Sequence, residues 1–273
     1  MIKLIVTDLD GTLMNHHRQV AGSDAAKLRE AASQGIQLCM ASGRMYPDMK
    51  QVMEEIALPA YGISQNGAAV YTLESEKLAS SSFSPELAEL LYDTVRAREF
   101  VTFICGSDES IRLPASTKQS APYENRQMSP VLINADVARQ IAAGTLGVCK
   151  FSLFGPIGEL EALQGELHSK FEGHVEAVVS DRDCLDLMPA GVSKGTGLTL
   201  LLKHLGLRPE EAVCIGDSFN DLPMFAVTPH SYVMQHSHDD VKAGASRAAA
   251  SVAEAVDHVL RLSRQEKQEI HGA

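Results

Sequence analysis

Apolar runs alternate with amphipathic segments at the start of the chain. The runs consist of large aliphatic residues, as expected for strands buried on both faces of a sheet. Ser23 is predicted to cap the first helix and Gly35 to end it. Strands that alternate with helices predict a parallel sheet with right-handed crossovers. The predicted elements are strands over 2–7, 36–41 and 61–64 and helices over 23–34 and 45–57.

The pattern changes near residue 80. Residues 79–82 are small and are predicted as a hinge, after which Ser84 and the proline behind it begin a helix through Glu99. The region that follows is typical of a compact α+β unit, with a polar loop over 114–130 that contains three prolines. Its further predicted elements are strands over 101–105, 148–153, 175–179 and 184–187 and helices over 136–143 and 158–171.

The alternating pattern returns at Gly191, with a helix over 193–205 and a buried strand over 212–216. The fold class predicted from this order is α/β, with a Rossmann-like parallel-sheet core interrupted by an α+β domain. The predicted boundaries are 1–83 for the first core segment, 84–188 for the inserted domain and 189–273 for the second core segment.

Composition argues against some classes of partner. The 273 residues are enough for two domains, and 45% of them are hydrophobic, which allows a substantial core. A formal net charge of −11 argues against nucleic acid or an anionic membrane, because both attract clustered Lys and Arg. The five cysteines are scattered singly, and neither a signal-peptide pattern nor an apolar run of about 20 residues occurs. We therefore expect a cytoplasmic protein.

Polar residues directly follow three of the predicted strands. Asp8, Ser42 and Asp217 each come after a short apolar run. Because the carboxyl ends of parallel strands lie at one edge of the sheet, where ligands bind, we expect these residues to converge. One aspartate after a strand is often only a turn or cap residue, but three polar residues in register favour a functional site.

The aspartates indicate a magnesium site. Asp8 and Asp10 lie in a glycine-containing turn, and Asp217 and Asp221 would join them from the far end of the chain. Two carboxylates in contact repel each other by about 4 kcal/mol at an effective dielectric constant of about 20, so the cluster needs a neutralising cation. Oxygen ligands without His or Cys favour Mg²⁺.

Hydrogen-bond donors and a cation are predicted for the other half of this site. Ser42 and Gly43 stand at a strand–helix junction, where a hydroxyl and backbone amides can donate to a phosphoryl oxygen. Lys194 precedes a helix and has glycines on both sides of it in the sequence. The sequence therefore offers a positive counterpart to the carboxylates.

Other polar residues leave alternatives open. Arg44 is either a surface residue or a substrate contact, and Asn66 and Gly67 either form an ordinary turn or touch the substrate. His236 and His238 could be a metal pair, but residues two apart are not adjacent on a helix. We therefore expect loop histidines.

The chain contains four short motifs in order, 8–13 (DLDGTL), 42–44 (SGR), 191–195 (GVSKG) and 216–224 (GDSFNDLPM), together with the segment 64–68 (SQNGA). In order and spacing, the four motifs resemble those of the haloacid dehalogenase-like phosphatase superfamily. Within it, the chain is similar to the Cof-like subfamily, which carries an α/β cap and a segment like 64–68 after its third strand. The resemblance covers nearly the whole chain and implies that the inserted domain at 84–188 is this cap.

The resemblance implies a role for each motif residue. Asp8 would attack phosphorus to give an aspartyl-phosphate, and Asp10 would protonate the leaving alkoxide and later activate water. Asp8, the carbonyl of Asp10 and Asp217 would bind Mg²⁺, with Asp221 supporting them. The groups implied to hold the transferring phosphoryl are Ser42, the amides of Gly43 and Leu9, Lys194 and Asn220.

The leading hypothesis is an Mg²⁺-dependent phosphatase that hydrolyses a small phosphorylated metabolite, such as a sugar phosphate or a cofactor-precursor phosphate. A phosphomutase of the same superfamily and a catalytically silent phosphate-binding protein are the alternatives. A monomer and a homodimer are both open.

Two regions bear on the substrate. The subfamily commonly carries a Gly-Asn-Ala-like turn where this chain has VMQHS over 233–237, which affects any contact carried over there. The loop over 114–130, with Arg112, Lys118 and Arg126, is where we expect leaving-group contacts.

Overall fold

The computed structural model describes residues 1–272, with side chains described through Arg264. In that part of the chain the strands form two sheets, of eight and six strands. The predicted second core segment ends at residue 273, which lies outside the described residues. The segment boundaries at 83/84 and 188/189 stay predictions.

The larger sheet forms the core of the molecule. Its strands are β1 (Leu4–Thr7), β2 (Gln37–Ala41), β3 (Tyr61–Ser64), β4 (Ala69–Tyr71), β5 (Lys77–Ser80), β12 (Ala212–Gly216), β13 (Ser231–Met234) and β14 (Arg247–Ala249). The spatial order is β14-β13-β12-β1-β2-β3-β4-β5. The run from β14 to β3 is parallel, as predicted, whereas β4 and β5 extend the edge in antiparallel pairing.

Helices cover both faces of this sheet. They are α1 (Gly22–Ser33), α2 (Tyr46–Ile56), α7 (Lys194–Leu205), α8 (Leu222–Phe225), α9 (Asp239–Ala243) and α10 (Val252–Gly272). Alternate strand residues point to opposite faces, so Ile5 packs with α1, α2 and α10, whereas Leu4 and Val6 pack with α7 and α8. The result is a three-layer α/β core whose strand ends open at one edge.

Two local predictions about the core are wrong. Helix α1 begins at Gly22, so Ala21 and not Ser23 precedes its first turn. Ala79 and Ser80 belong to β5, so only the second half of the predicted hinge over 79–82 connects the elements. Gly35 does follow the end of α1, with a positive φ of 84°.

The smaller sheet and its helices form a second unit, which we name the cap. Its strands are β6 (Val101–Gly106), β7 (Ile111–Leu113), β8 (Val131–Ile133), β9 (Val148–Phe154), β10 (Val175–Asp181) and β11 (Cys184–Pro189). Its helices are α3 (Pro85–Arg96), α4 (Ala121–Glu124), α5 (Val137–Ala142) and α6 (Ile157–Lys170). The order is β10-β11-β9-β6-β7-β8, antiparallel except for the β7–β8 pair. The short helix α4 lies inside the segment predicted as a loop over 114–130.

The two faces of the cap sheet differ. Ile104, Phe151 and Leu185 pack under α3, α5 and α6 in one apolar cluster. Their neighbours in sequence project from the opposite face because side chains alternate along a strand. The residues of that opposite face are Phe103, Cys105, Lys150, Ser152, Cys184 and Asp186, and all six line a cavity between the cap and the core.

The described residues include no helix that is both long and apolar enough to cross a membrane. The five cysteines are all buried and free of disulfide bonds.

Candidate active site

Strand ends bring the predicted polar residues together. Asp8 directly follows β1, Ser42 follows β2 and Asp217 follows β12, and these three strands are adjacent and parallel in the sheet. All three residues line the same cavity, whose volume is about 780 Å³. The expected convergence at one edge of the sheet is therefore present.

Lys194 is the electrostatic centre of the core half of this site. Its side chain is fully buried, and its Nζ donates to Asp8 Oδ1 and to Asp221 Oδ1, each at 2.6 Å. Burial alone would lower the pKa of Lys194, but the charges of Asp221 and Asp8 outweigh it and raise the pKa above its ordinary value. The lysine therefore stays charged between two carboxylates.

A capping interaction places Lys194. Ser193 caps α7 by accepting a hydrogen bond from the Thr196 amide at 3.1 Å, so Lys194 is the first residue of the helix. Gly67 fits against this junction with a φ of 103°, and a Cβ there would lie 2.0 Å from the Ser193 carbonyl oxygen. Gly67 is thus required by close packing at the start of α7.

The Asp221 carboxylate is held by three donors. Its Oδ2 accepts from the amides of Asp217 at 2.8 Å and Ser218 at 2.9 Å, and its Oδ1 accepts from Lys194. Gly216 allows this approach, because a Cβ there would lie 2.4 Å from the Asp221 carboxyl carbon. Through these hydrogen bonds Asp221 orients both Lys194 and the loop that begins at Asp217.

Three carboxylates form a cluster that fits a divalent cation. Oxygen atoms of Asp8, Asp217 and Asp221 lie within 4.8 Å of one another. Asp8 Oδ2 is buried and has no hydrogen-bond partner among the described residues. An oxygen-only donor set with one orphaned carboxylate oxygen matches a hard cation. Asp217 is oriented by the Thr12 hydroxyl, which donates to its Oδ1 at 3.1 Å.

The pKa values reflect this crowding. Burial, together with the charges of Asp221 and Asp217, raises the pKa of Asp8 well above its ordinary value against the opposing effect of Lys194. Burial and the charge of Asp221 raise the pKa of Asp217 to about 6. A cation that binds in place of the proton would therefore stabilise the ionised form of this carboxylate cluster.

Asp10 lies at the open side of the same loop. Its carboxylate accepts two parallel hydrogen bonds from Arg44, from Nε to Oδ2 and from Nη2 to Oδ1, both at 2.7 Å. The Asp10 side chain is 48% exposed, whereas that of Arg44 is 14% exposed. Arg44 therefore forms an ion pair with Asp10, the residue predicted to act as the acid. This contact differs from both alternatives that the sequence left open for Arg44, a surface residue and a substrate contact.

The loop after β2 is shaped by local hydrogen bonds. Ser42 Oγ accepts from the Arg44 amide at 3.2 Å, and both Ser42 and Gly43 line the cavity. Leu9 is fully buried beside Asp8, so its side chain belongs to the core. Phosphoryl contacts by these groups stay predictions.

Asn66 and Asn220 bridge elements around the cavity. Asn220 Nδ2 donates to Asn66 Oδ1 at 3.1 Å, and Asn66 Nδ2 donates to Asp186 Oδ2 in the cap at 2.7 Å. Asn66 has a φ of 58°, and its side chain is buried. The turn at 66–67 therefore joins the core to the cap, and a substrate contact by Asn66 or Gly67 stays a prediction.

The cap contributes a charged pair that the sequence did not single out. Lys150 Nζ donates to the Gly43 carbonyl at 2.9 Å and to Asp186 Oδ1 at 3.1 Å, and Ser152 Oγ also donates to Asp186. Lys150 and Asp186 are both buried. A lysine and an aspartate inside otherwise apolar strand runs are the signal that could have found them, because such charges are rarely buried unpaired.

The predicted cap cations have different positions. Arg126 lines the cavity and forms ion pairs with Asp181 at 2.6 Å and Asp183 at 2.7 Å. Arg112 instead pairs with Asp108 in its own hairpin. Lys118 is exposed and does not belong to the cavity lining among the described residues.

The histidines follow β13. His236 and His238 lie in the connection between β13 and α9, so the expectation of loop histidines is confirmed. His236 Nε2 is 3.7 Å from Asp217 Oδ2. The altered segment over 233–237 therefore ends next to the carboxylate cluster.

Comparison with known proteins assigns the class. Residues 5–260 match the family described as haloacid dehalogenase-like hydrolase. An HMP-PP phosphatase of Escherichia coli O157:H7 is 30% identical over 250 residues, which cover 89% of this chain and 88% of that relative. The chain belongs to the haloacid dehalogenase-like hydrolase family.

Solved structures agree with this assignment. A haloacid dehalogenase-like hydrolase from Bacteroides thetaiotaomicron is 26% identical with a TM-score of 0.82, over 95% of this chain and 100% of that one. A HAD subclass IIB sugar phosphatase has the same fold, with a TM-score of 0.79 at 18% identity over 94% of this chain and 98% of that one. Within this family the chain is an enzyme of the phosphatase class.

Proposed function

We propose that this enzyme is an Mg²⁺-dependent phosphatase that hydrolyses a small phosphorylated metabolite through an aspartyl-phosphate. The observation that carries the proposal is the buried arrangement of Asp8, Lys194 and Asp221, with Asp8 Oδ2 free beside Asp217. A carboxylate with one oxygen held by an ammonium and the other free is oriented for attack.

The first half-reaction uses Asp8 and Asp10. One oxygen of Asp8 attacks phosphorus, and the bond from phosphorus to the leaving oxygen breaks. Asp10 enters this step protonated from solvent, with one oxygen still held by Arg44, and gives its proton to the leaving alkoxide, which departs as an alcohol. Asp10 is suited to this role because it lies two residues from Asp8 and is the more exposed of the two.

The second half-reaction returns Asp8 to its free form. Asp10, now a carboxylate, accepts a proton from water, and the water oxygen attacks phosphorus. The acyl-phosphate bond breaks and releases inorganic phosphate. Ser42 and the Gly43 amide line the cavity where the phosphoryl oxygens would lie, and Lys194 keeps the charge of Asp8 balanced in the free enzyme.

The cation would be held by Asp8, the Asp10 carbonyl and Asp217, with Asp221 behind them. When bound, Mg²⁺ supplies positive charge that offsets the phosphoryl oxygens and the carboxylates. The crowding of three carboxylates around a single ammonium supports this placement.

The substrate proposal rests on the cap and on the relatives. The relatives are named HMP-PP phosphatase and the structural neighbour a sugar phosphatase, which supports a cofactor-precursor phosphate or a sugar phosphate. The cap side of the cavity presents Phe103 and Phe154, whose ring centroids are 5.1 Å apart. Aromatic rings bind apolar faces better than hydroxyl groups. We therefore expect leaving groups with a flat or apolar face to rank above hexoses.

Phosphate release tests the proposal. The wild-type enzyme with Mg²⁺ should release phosphate from p-nitrophenyl phosphate, and Asp8→Asn should lose at least about 10⁴-fold in kcat, because the nucleophile is gone. Release without an added bisphosphate would exclude a phosphomutase, and activity of Asp8→Asn near that of wild type would overturn the nucleophile assignment. A panel of phosphorylated metabolites ranked by kcat/KM then identifies the leaving group.

A further inference from the structure

We propose that Asp48 and Ser129 position Asp10 through Arg44, so that docking of a cap loop holds the proton donor in place. Asp48 lies in the first turn of α2, and Ser129 belongs to the connection between α4 and β8. Neither residue belongs to the machinery described above. The inference rests on the proposed role of Asp10 as the acid.

A continuous chain of polar contacts joins the cap to Asp10. Ser129 Oγ donates a hydrogen bond to Asp48 Oδ1, and Asp48 Oδ2 lies 3.5 Å from Arg44 Nη1. Arg44 then donates its two parallel hydrogen bonds to Asp10. The guanidinium therefore lies between one buried and one exposed carboxylate.

The planar head group of Arg44 links the orientation of Asp10 to the position of Asp48. A guanidinium is planar and presents its donors in a fixed fork, so its orientation fixes the plane of the carboxylate that it holds. Asp48 is only 1% exposed and has little freedom to move, whereas the Asp10 side chain is about half in solvent. The buried carboxylate thus anchors Arg44, and Arg44 orients the exposed one.

The cap loop is fastened to the core at this place. Arg18, in the core loop before α1, donates from Nη1 to the carbonyls of Asn125 at 3.5 Å and Gln127 at 3.3 Å. Met128 packs against the apolar cluster of the core that includes α2. Ser129 therefore reaches Asp48 only when the segment over 125–129 lies on the core. The hydrogen bond between them thus links docking of the cap loop to the position of Asp10.

The expected consequence concerns the leaving group. A strongly basic alkoxide needs the proton of Asp10 as it departs, whereas p-nitrophenolate is stable without one. Weaker positioning of Asp10 therefore slows the first half-reaction of alkyl esters and spares that of nitrophenyl esters. The value of kcat/KM reports this half-reaction alone, because the second half-reaction, which also uses Asp10, follows departure of the leaving group. A purely structural role of Asp48 would slow both esters alike.

A matched pair of substrates measures this difference. p-Nitrobenzyl phosphate and p-nitrophenyl phosphate have the same nitroaryl group but leave as an alkoxide and a phenolate. Asp48→Asn should lower kcat/KM for the benzyl ester about tenfold and leave kcat/KM for the phenyl ester within about threefold, a fraction of the full general-acid effect. Asp10→Asn gives the limit, with a loss of about 10²–10⁴-fold on the benzyl ester.

Smaller changes at the cap test the other end of the chain of contacts. Ser129→Ala should shift the benzyl-to-phenyl ratio in the same direction by about threefold, and Ser129→Thr, which keeps the hydroxyl, should restore it. Ser116→Ala is the control on the other side of α4, because Ser116 Oγ bonds only to Glu124 within the described contacts. It should leave the ratio unchanged.

The outcomes separate this inference from the proposed function. Equal losses on both esters in Asp48→Asn would overturn the positioning role, and so would an unchanged benzyl-to-phenyl ratio in both Asp48→Asn and Ser129→Ala. The proposed phosphatase function would still stand in either case if the wild type turns over the esters. If wild type hydrolyses neither ester with Mg²⁺ present, the function itself fails. Thermal unfolding of each variant confirms that it is folded.

Discussion

Two buried lysines lie near the cavity, Lys194 behind Asp8 in the core and Lys150 in the cap lining. Lys194 donates to two carboxylates and has a third, Asp217, nearby. Lys150 donates to one carboxylate, Asp186, and to one carbonyl. Burial lowers the pKa of each lysine, but the neighbouring carboxylates outweigh it and raise the pKa above its ordinary value.

The difference lies in the charge balance. Once ionised, the three carboxylates around Lys194 exceed its ammonium by two negative charges, which is the charge that a divalent cation neutralises. Around Lys150, one carboxylate and one ammonium cancel. The unbalanced cluster is therefore built to bind something further, whereas the balanced pair fixes the cap against the Gly43 carbonyl. Lys194 therefore contributes to the charge of the carboxylate cluster, whereas Lys150 attaches the cap to the core.

The largest expected effect follows removal of the core lysine. Lys194→Met should lower kcat by at least about 10²–10³-fold, because the carboxylates lose their resident cation. It should also cost about 3–5 kcal/mol in the free energy of unfolding, since a buried charge is left unpaired. Phosphate release and urea unfolding measure the two effects. Lys203→Met, an exposed position of the same helix, should change unfolding by less than about 0.5 kcal/mol.

The pH dependence of that variant sharpens the contrast. Burial raises the pKa of Asp8, so the folded state binds more protons than the unfolded state and stability falls as the pH rises above the ordinary carboxyl value. Without Lys194 the fall is steeper, and the deficit against wild type should be smaller at pH 5 than at pH 8 in metal-free buffer. A deficit independent of pH would contradict the charge-balance interpretation.

An intermediate effect is expected at Gly67. Gly67→Ala places a Cβ 2.0 Å from the Ser193 carbonyl oxygen at a positive φ, so the start of α7 must shift. We expect a loss of about 3 kcal/mol or more in unfolding free energy, together with reduced kcat. Gly206→Ala shares the positive φ but has open space around its Cβ, and should cost only about 1–2 kcal/mol with unchanged kcat. Equal losses in the two variants would show that the close contact is unimportant.

The smallest effect is expected at the cap lysine. Lys150→Met leaves Asp186 with the donors Ser152 and Asn66, so unfolding should lose about 1–3 kcal/mol. The double variant Lys150→Met with Asp186→Asn removes both charges and should recover most of that loss. Thermal unfolding of the two variants decides this. No recovery in the double variant would mean that Lys150 acts through the Gly43 carbonyl alone.

The core elements could be predicted because their strands are buried on both faces. Runs over 61–64 and 212–216 are apolar and end at polar or glycine residues, and the structure has β3 and β12 at those bounds. The strand β5 could not be recognised in this way. Its residues Lys77–Ser80 are exposed or half-buried, and they pair with β4 through backbone hydrogen bonds that leave no apolar pattern.

The site was predictable to the extent that it stands on strand ends. Asp8, Ser42 and Asp217 follow parallel neighbours, so their order in the sheet brings them together. Lys150 lies 107 positions from the Gly43 carbonyl that it contacts. Strand alternation can give the face on which Lys150 lies, but only the placement of the cap on the core decides what that face meets.

The two-residue turn at Asn66 and Gly67 also bears on the order of folding. The partners of the Asn66 side chain stand 120 and 154 positions later in the chain, in the cap and in the second core segment. Closing a loop of that length costs chain entropy before the contact can compensate for it, so such contacts form late in folding. The turn therefore acquires its hydrogen bonds only after both later segments have been made and have docked. We therefore expect partly folded chains to lack the contact between core and cap at this turn.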